Sequence, residues 1–133
     1  MASVIYPKAK ESFLSQNPSI DMDTDTIKAA LVDTGTYTYS AAHQYYSSVS
    51  GVVGTPATLA SKTVTSGTFD AADVTYTAVT GASVEAIIIY KDTGSAATSP
   101  LIAYIDSASS GLPVTPNGGD ITVSWNASGI FSL

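Results

Sequence analysis

Val84-Glu85-Ala86-Ile87-Ile88-Ile89-Tyr90-Lys91 is the stretch on which the fold turns. In an extended chain successive side chains point to opposite faces. Val84, Ala86, Ile88 and Tyr90 then share one face, and Ile87 and Ile89 the other. Both faces are apolar, so the strand is expected mid-sheet, covered on both sides. Ile121-Thr122-Val123-Ser124-Trp125 reads differently, with Ile121, Val123 and Trp125 alternating with polar residues as in a half-buried strand. Ile27-Lys28-Ala29-Ala30-Leu31-Val32 is compact and apolar, and fits a buried first strand that Asp33-Thr34-Gly35 ends in a turn.

Further strands are predicted at 52–58, 59–65, 69 with 74–79, 84–91, 101–106 and 121–125, each bounded by Gly, Pro, Asn or Ser. The loops between the later ones are 92–100, 107–111 and 113–120, the last with an Asn117-Gly118-Gly119 turn. Such spacing indicates an all-β, antiparallel β-sandwich of jelly-roll or Ig-like type, with one or two short peripheral helices. One helix is expected after Pro7 through Leu14, the proline standing at the first helical position. A second is expected after Ser40, over Ala41-Ala42-His43-Gln44-Tyr45-Tyr46. Residues 1–133 are read as a single domain, with 1–20 a possible N-terminal arm or short helix.

The composition narrows the function. Among 133 residues there are 36 Ser plus Thr, 18 Ala and 10 Gly, against only 12% charged residues. Eleven acids face five lysines and no arginine, for a formal charge of −6. Nucleic acid is therefore not an expected partner, because phosphate binding needs a basic surface and base reading leans on arginine. Cysteine is absent, which removes disulfides, thiolate nucleophiles and Cys-ligated metals. The longest apolar run, Ala86-Ile87-Ile88-Ile89-Tyr90, is far short of the roughly 20 residues of a spanning helix. No membrane span is expected, and the start of the chain lacks a secretory signal pattern.

No motif supplies a catalytic, metal or cofactor site. His43 is the sole histidine and the one candidate general base near neutral pH, but no nucleophile elbow surrounds any serine. Asp21, Asp23 and Asp25 open like a calcium loop, yet Thr26 stands where glycine is needed and Val32 where the closing glutamate belongs. They are read as a solvated acidic face of an extended chain, with a looser cation site as the alternative. Asp70 with Asp73, or Asp106 with Asp120, could be assembled into a pair for glycoside cleavage, but eleven acids always offer some such pair, and the pairing carries no signal by itself. Asn126-Ala127-Ser128 is a glycosylation sequon without a signal peptide. The candidate partner-binding residues are Lys8 and Lys10 on the N-terminal segment and the cluster Tyr37, Tyr39, Tyr45 and Tyr46, since tyrosine is enriched at interfaces and on sugar-stacking surfaces. The competing reading has these tyrosines packing a small helix onto the sheet.

Four segments carry a resemblance: Asp23-Thr24-Asp25-Thr26 running through 27–33, Leu59-Ala60-Ser61-Lys62-Thr63-Val64-Thr65, the run 85–94 leading into 99–106, and Asn117-Gly118-Gly119-Asp120 running through 121–125. Together they resemble a family of small tailed-bacteriophage virion proteins, nearly end to end. The resemblance implies a non-enzymatic structural role, foremost a capsid decoration (cement) protein on the outer surface of the head. Its partners would be the major capsid protein and further copies of itself, as a trimer or dimer. Its location would be the virion, after synthesis in the host cytoplasm. The alternative is a head-fibre or tail-associated module that touches the host surface or carbohydrate through its tyrosines.

Overall fold

A computed structural model describes residues 3–106, 112–125 and 128–132 of the chain. Loop 107–111 and the Asn126 and Ala127 positions of the sequon lie outside the described residues.

The chain forms β1 (Val4–Ile5), α1 (Pro7–Ser15), β2 (Ile27–Val32), β3 (Val52–Thr58), β4 (Thr63–Thr65), β5 (Thr68–Asp70), β6 (Val74–Tyr76), β7 (Ala86–Lys91), β8 (Leu101–Ile105), β9 (Ile121–Val123) and β10 (Phe131–Ser132). The fold is β-rich, with antiparallel pairing in every sheet and one α-helix among the described residues. Five strands make the main sheet in the order β1-β8-β7-β2-β3, and two small sheets follow the orders β10-β5-β4 and β6-β9. As the residues of β7 anticipate, it lies inside the sheet, with Ile88 paired to Ala30 of β2 on one side and to Tyr104 of β8 on the other.

The alternation along these strands sorts the core into two clusters, one on each face of the main sheet. Ala29, Leu31, Ile87 and Ile89 turn toward one face, where they meet Phe69, Val74, Tyr76, Ile121, Val123 and Trp125 from the small sheets. Ala30, Val32, Ala86, Ile88 and Tyr90 turn the other way, against Tyr6, Ala9 of α1, Tyr37 and Tyr104. Val84 departs from its expected face. The strand begins only at Ala86, and Val84 forms an isolated bridge to Val114 with its side chain among the Ile87 and Ile89 group. On β8, Ile102 and Ala103 are consecutive yet share that face, where a register shift opposite Ile89 and Tyr90 interrupts the alternation.

The sheet ends are blunted. β1 has two residues, and β3 carries Pro56 and a register shift at which Gly54 takes φ +72°. Proline has no amide to offer an incoming strand, and a non-glycine residue would be strained at that φ. β9 shows the predicted wet and dry sides, with Ile121, Val123 and Trp125 buried and Thr122 exposed.

Several boundaries move. The expected strand 59–65 is regular only over β4, because Ser61 takes φ +53° and turns the chain. The expected segment 69 with 74–79 splits into β5 and β6, which belong to different sheets. The helix expected after Ser40 is absent: Tyr46–Ser48 makes one 3₁₀ turn, and Tyr45 pairs with Pro100 as a β-bridge. The cause is tertiary. The amides of Tyr46 and Leu101 bond to the carbonyls of Ser99 and Gln44, which holds the segment extended against the start of β8. A second 3₁₀ turn, Ala96–Thr98, lies in the region expected to be loop. Residues 4–15 do not project as an arm; β1 edges the main sheet and α1 lies on it through Ala9 and Ser12.

Candidate functional site

The tyrosine face of the main sheet is where polar groups concentrate. Tyr6 precedes α1 and is fully buried, and its hydroxyl lies 2.7 Å from that of Tyr37. The Tyr37 hydroxyl is in turn 2.8 Å from Nδ1 of His43. Around this relay the rings of Tyr39 and Tyr6 approach to 5.1 Å, Tyr39 and Tyr104 to 5.5 Å, and Tyr37 and His43 to 5.6 Å. These separations and tilts are those that aromatic quadrupoles favour. Further along, Tyr46 stacks on Tyr90 at 4.0 Å and 11°.

Burial raises the phenol pKa values of Tyr6, Tyr37, Tyr39, Tyr46, Tyr90 and Tyr104 above their ordinary value, since the charged form is poorly solvated there. For Tyr104 the nearby Asp106 and Glu85 carboxylates push in the same direction. Beside these rings runs a groove of about 490 Å³ lined by Thr34, Tyr37, Thr38, Tyr39, Glu85, Tyr104, Asp106 and Pro113. Glu85 is fixed at its rim, because its Oε1 accepts from the Thr34 amide at 3.0 Å and the Thr34 hydroxyl at 3.1 Å.

The expected partner-binding residues separate into groups. Tyr37 is buried, and Tyr39, Tyr45 and Tyr46 are half-buried. The tyrosines therefore pack onto the sheet, as the competing reading had it, although the element that carries Tyr45 and Tyr46 is extended and not helical. Lys8 pairs with Glu11 at 3.2 Å on α1, and Lys10 is exposed on the same helix. Tyr6, Glu85, Tyr90 and Tyr104 join the site without having been foreseen. Position parity carried a signal for two of them, since Tyr90 shares the face of Ile88 and Tyr104 pairs with Ile88 across the strands. Tyr6 arrives through the β1–α1 connection, which has no local signature.

The acids foreseen for other chemistry serve the backbone. Asp21, Asp23 and Asp25 lie in a turn and not on an extended face: the Asp21 carboxylate accepts from the amides of Asp23 and Thr24, and Asp25 accepts from the Asp21 amide. The Asp25 carboxylate also pairs with Lys91 at 3.0 Å, while Lys62 donates to the Asp25 carbonyl. A hydrogen bond from the Asp23 carboxyl, followed by one from Thr24, holds Asp21 below the ordinary carboxylate value, and the same contact with Asp21 raises Asp23. Asp70 accepts from the Ala71 amide, Asp73 from the Trp125 amide, Asp120 from the Ala78 amide and Asp106 from the Ser3 hydroxyl. Among the described residues no group of three His, Cys, Asp or Glu side chains is placed to hold a metal ion. No described helix is long and apolar enough to cross a membrane. No protein-family model matches the chain, and no curated protein is significantly similar to it.

Proposed function

We propose that the chain is a non-enzymatic structural protein of a bacteriophage virion, a capsid decoration protein that binds the outside of the assembled head. The observation that supports this reading is where the polar groups go. The acids that sequence pairing raised are engaged as caps of turns and strands or in an ion pair, and the segments that resemble virion proteins fall on the strands β2, β4, β7, β8 and β9. A module of this kind acts by mass action. Binding only the assembled shell stabilises that shell, and symmetry repeats a modest contact many times. The major capsid protein is the proposed partner, with copies of this chain arranged as a trimer or dimer at symmetric points of the shell. The matching architecture is a sandwich in which the main sheet faces the two small sheets across the aliphatic cluster, and a jelly-roll or Ig-like lineage belongs to the same proposal.

The test is the copy number of the polypeptide relative to the major shell protein in purified virions, by quantitative mass spectrometry. A near-stoichiometric ratio, or a simple fraction of it, is expected. A handful of copies would move the protein to a vertex, fibre or tail and overturn decoration of the head. Complete absence would overturn the virion reading.

A further inference from the structure

We infer that the groove beside Tyr39 and Tyr104 is a receptor for an arginine side chain from a partner protein of different sequence. The inference rests on the proposed role as a module docked on a larger assembly, and names the chemistry of one docking contact. Three features of the groove select this occupant. Its charged rim is acidic: Glu85 stands at the wall, and Asp106 and Glu85 both act on the Tyr104 phenol. The five described lysine contacts go elsewhere, to Glu11, Asp92, the Asp25 carboxylate, the Asp25 carbonyl and the Ser19 carbonyl. The rim is also rigid. The Thr34 amide and hydroxyl hold one oxygen of Glu85, so the carboxylate is ordered before a ligand arrives and that entropy loss is already met.

The aromatic surface decides between a cation and a sugar. Tyr37 and Tyr104 are only 2% and 4% exposed, leaving Tyr39 as the one half-exposed ring of the groove. A hexose stacks on a broad open ring platform, which this groove lacks. A planar guanidinium needs one ring to stack on and a carboxylate to accept its N–H, and here Tyr39 and Glu85 line the same groove. This chain contains no arginine. A second copy of these residues does not supply the group, and the proposed occupant is another protein.

The probe is N-acetylarginine methylamide, titrated into the full chain with the tyrosine ring signals followed by NMR. Saturable shifts at Tyr39 and Tyr104 are expected, weakening with added salt as an exposed charge contact does. Glu85→Gln keeps the oxygen that accepts from Thr34 and removes the charge. It is expected to weaken the probe about tenfold, the size of one lost charge-assisted hydrogen bond, with an unchanged circular dichroism spectrum. Equal binding by wild type and Glu85→Gln, no shift at these rings, or equal shifts from N-acetylnorleucine methylamide or galactose would overturn the inference. Co-sedimentation with purified heads separates the two proposals. Heads that bind wild type and Glu85→Gln equally would sink the arginine contact and leave decoration standing, whereas a groove that binds the probe in a protein that heads ignore would sink decoration alone.

Discussion

The two faces of the main sheet solve the same burial problem with different side chains. On one, Leu31, Ile87, Ile89 and Ile102 meet the small sheets mainly through aliphatic groups, and the Tyr76 hydroxyl among them donates to the Ala29 carbonyl. On the other, Ile88 and Val32 lie beneath Tyr6, Tyr37, Tyr90 and Tyr104. An aliphatic face is held by volume and area, and tolerates any arrangement that fills space. A tyrosine face adds hydroxyls that must each find a partner when water is excluded. It is therefore more specific in geometry, and its outer edge stays wet enough to meet another molecule. The difference explains why the polar groove is on the tyrosine side although the aliphatic side buries more strands.

The strongest way to break this comparison is to charge the sheet between its faces. Ile88→Asp places a carboxylate under the tyrosines at a position with no exposure, at a cost of several kcal/mol, about the whole stability of a typical domain. The expected result is an unfolded or insoluble chain by circular dichroism. A folded variant with native thermal stability would show that Ile88 is not in the core.

Alkali probes tyrosine burial on both faces without mutation. Tyr6, Tyr37, Tyr90 and Tyr104 on one face and Tyr76 on the other have raised folded-state pKa values, chiefly from burial. Below the unfolded phenol value of about 10 their contribution is intact, and it falls progressively as pH rises from there through the folded values. Tyrosinate absorbance near 295 nm is then expected to rise together with the loss of the β-sheet circular dichroism signal. Full ionisation of all the tyrosines before any loss of that signal would contradict a buried tyrosine face.

The finest test acts on one atom. Tyr37→Phe removes the hydroxyl between Tyr6 and His43 and leaves the buried Tyr6 hydroxyl without its partner, an expected cost of about 1–3 kcal/mol in chemical denaturation. The Tyr6→Phe/Tyr37→Phe pair is expected to cost less than the sum of the single changes, because the second substitution removes the orphaned group. Strict additivity would show that the two hydroxyls do not interact.

Which parts of this were legible beforehand follows from how local each signal is. The placement of β7 inside a sheet is written into the parity of Ala86 to Tyr90, and the wet side of β9 into Ile121 to Trp125, because side-chain alternation needs only neighbouring residues. The turn at Asp33 is equally local: its carboxylate accepts from the Gly35 amide two residues on. The helix expected from Ala41 to Tyr46 failed because Ser99 and Leu101, more than fifty residues away, take its backbone bonds. Local propensity is weak against such partners.

By itself, then, the sequence determined a β-rich chain with a central apolar strand, an acidic surface, no arginine and no thiol, since composition and period-two alternation depend on no distant contact. Only the tertiary structure decided that Tyr6, Tyr37, Tyr39 and Tyr104 meet on one face beside Glu85. These residues come from the β1–α1 connection, the segment after β2, β8 and the approach to β7. Strand pairing in the order β1-β8-β7-β2 brings them together, and pairing order is fixed by the packing of the whole sheet, which no short window of residues contains.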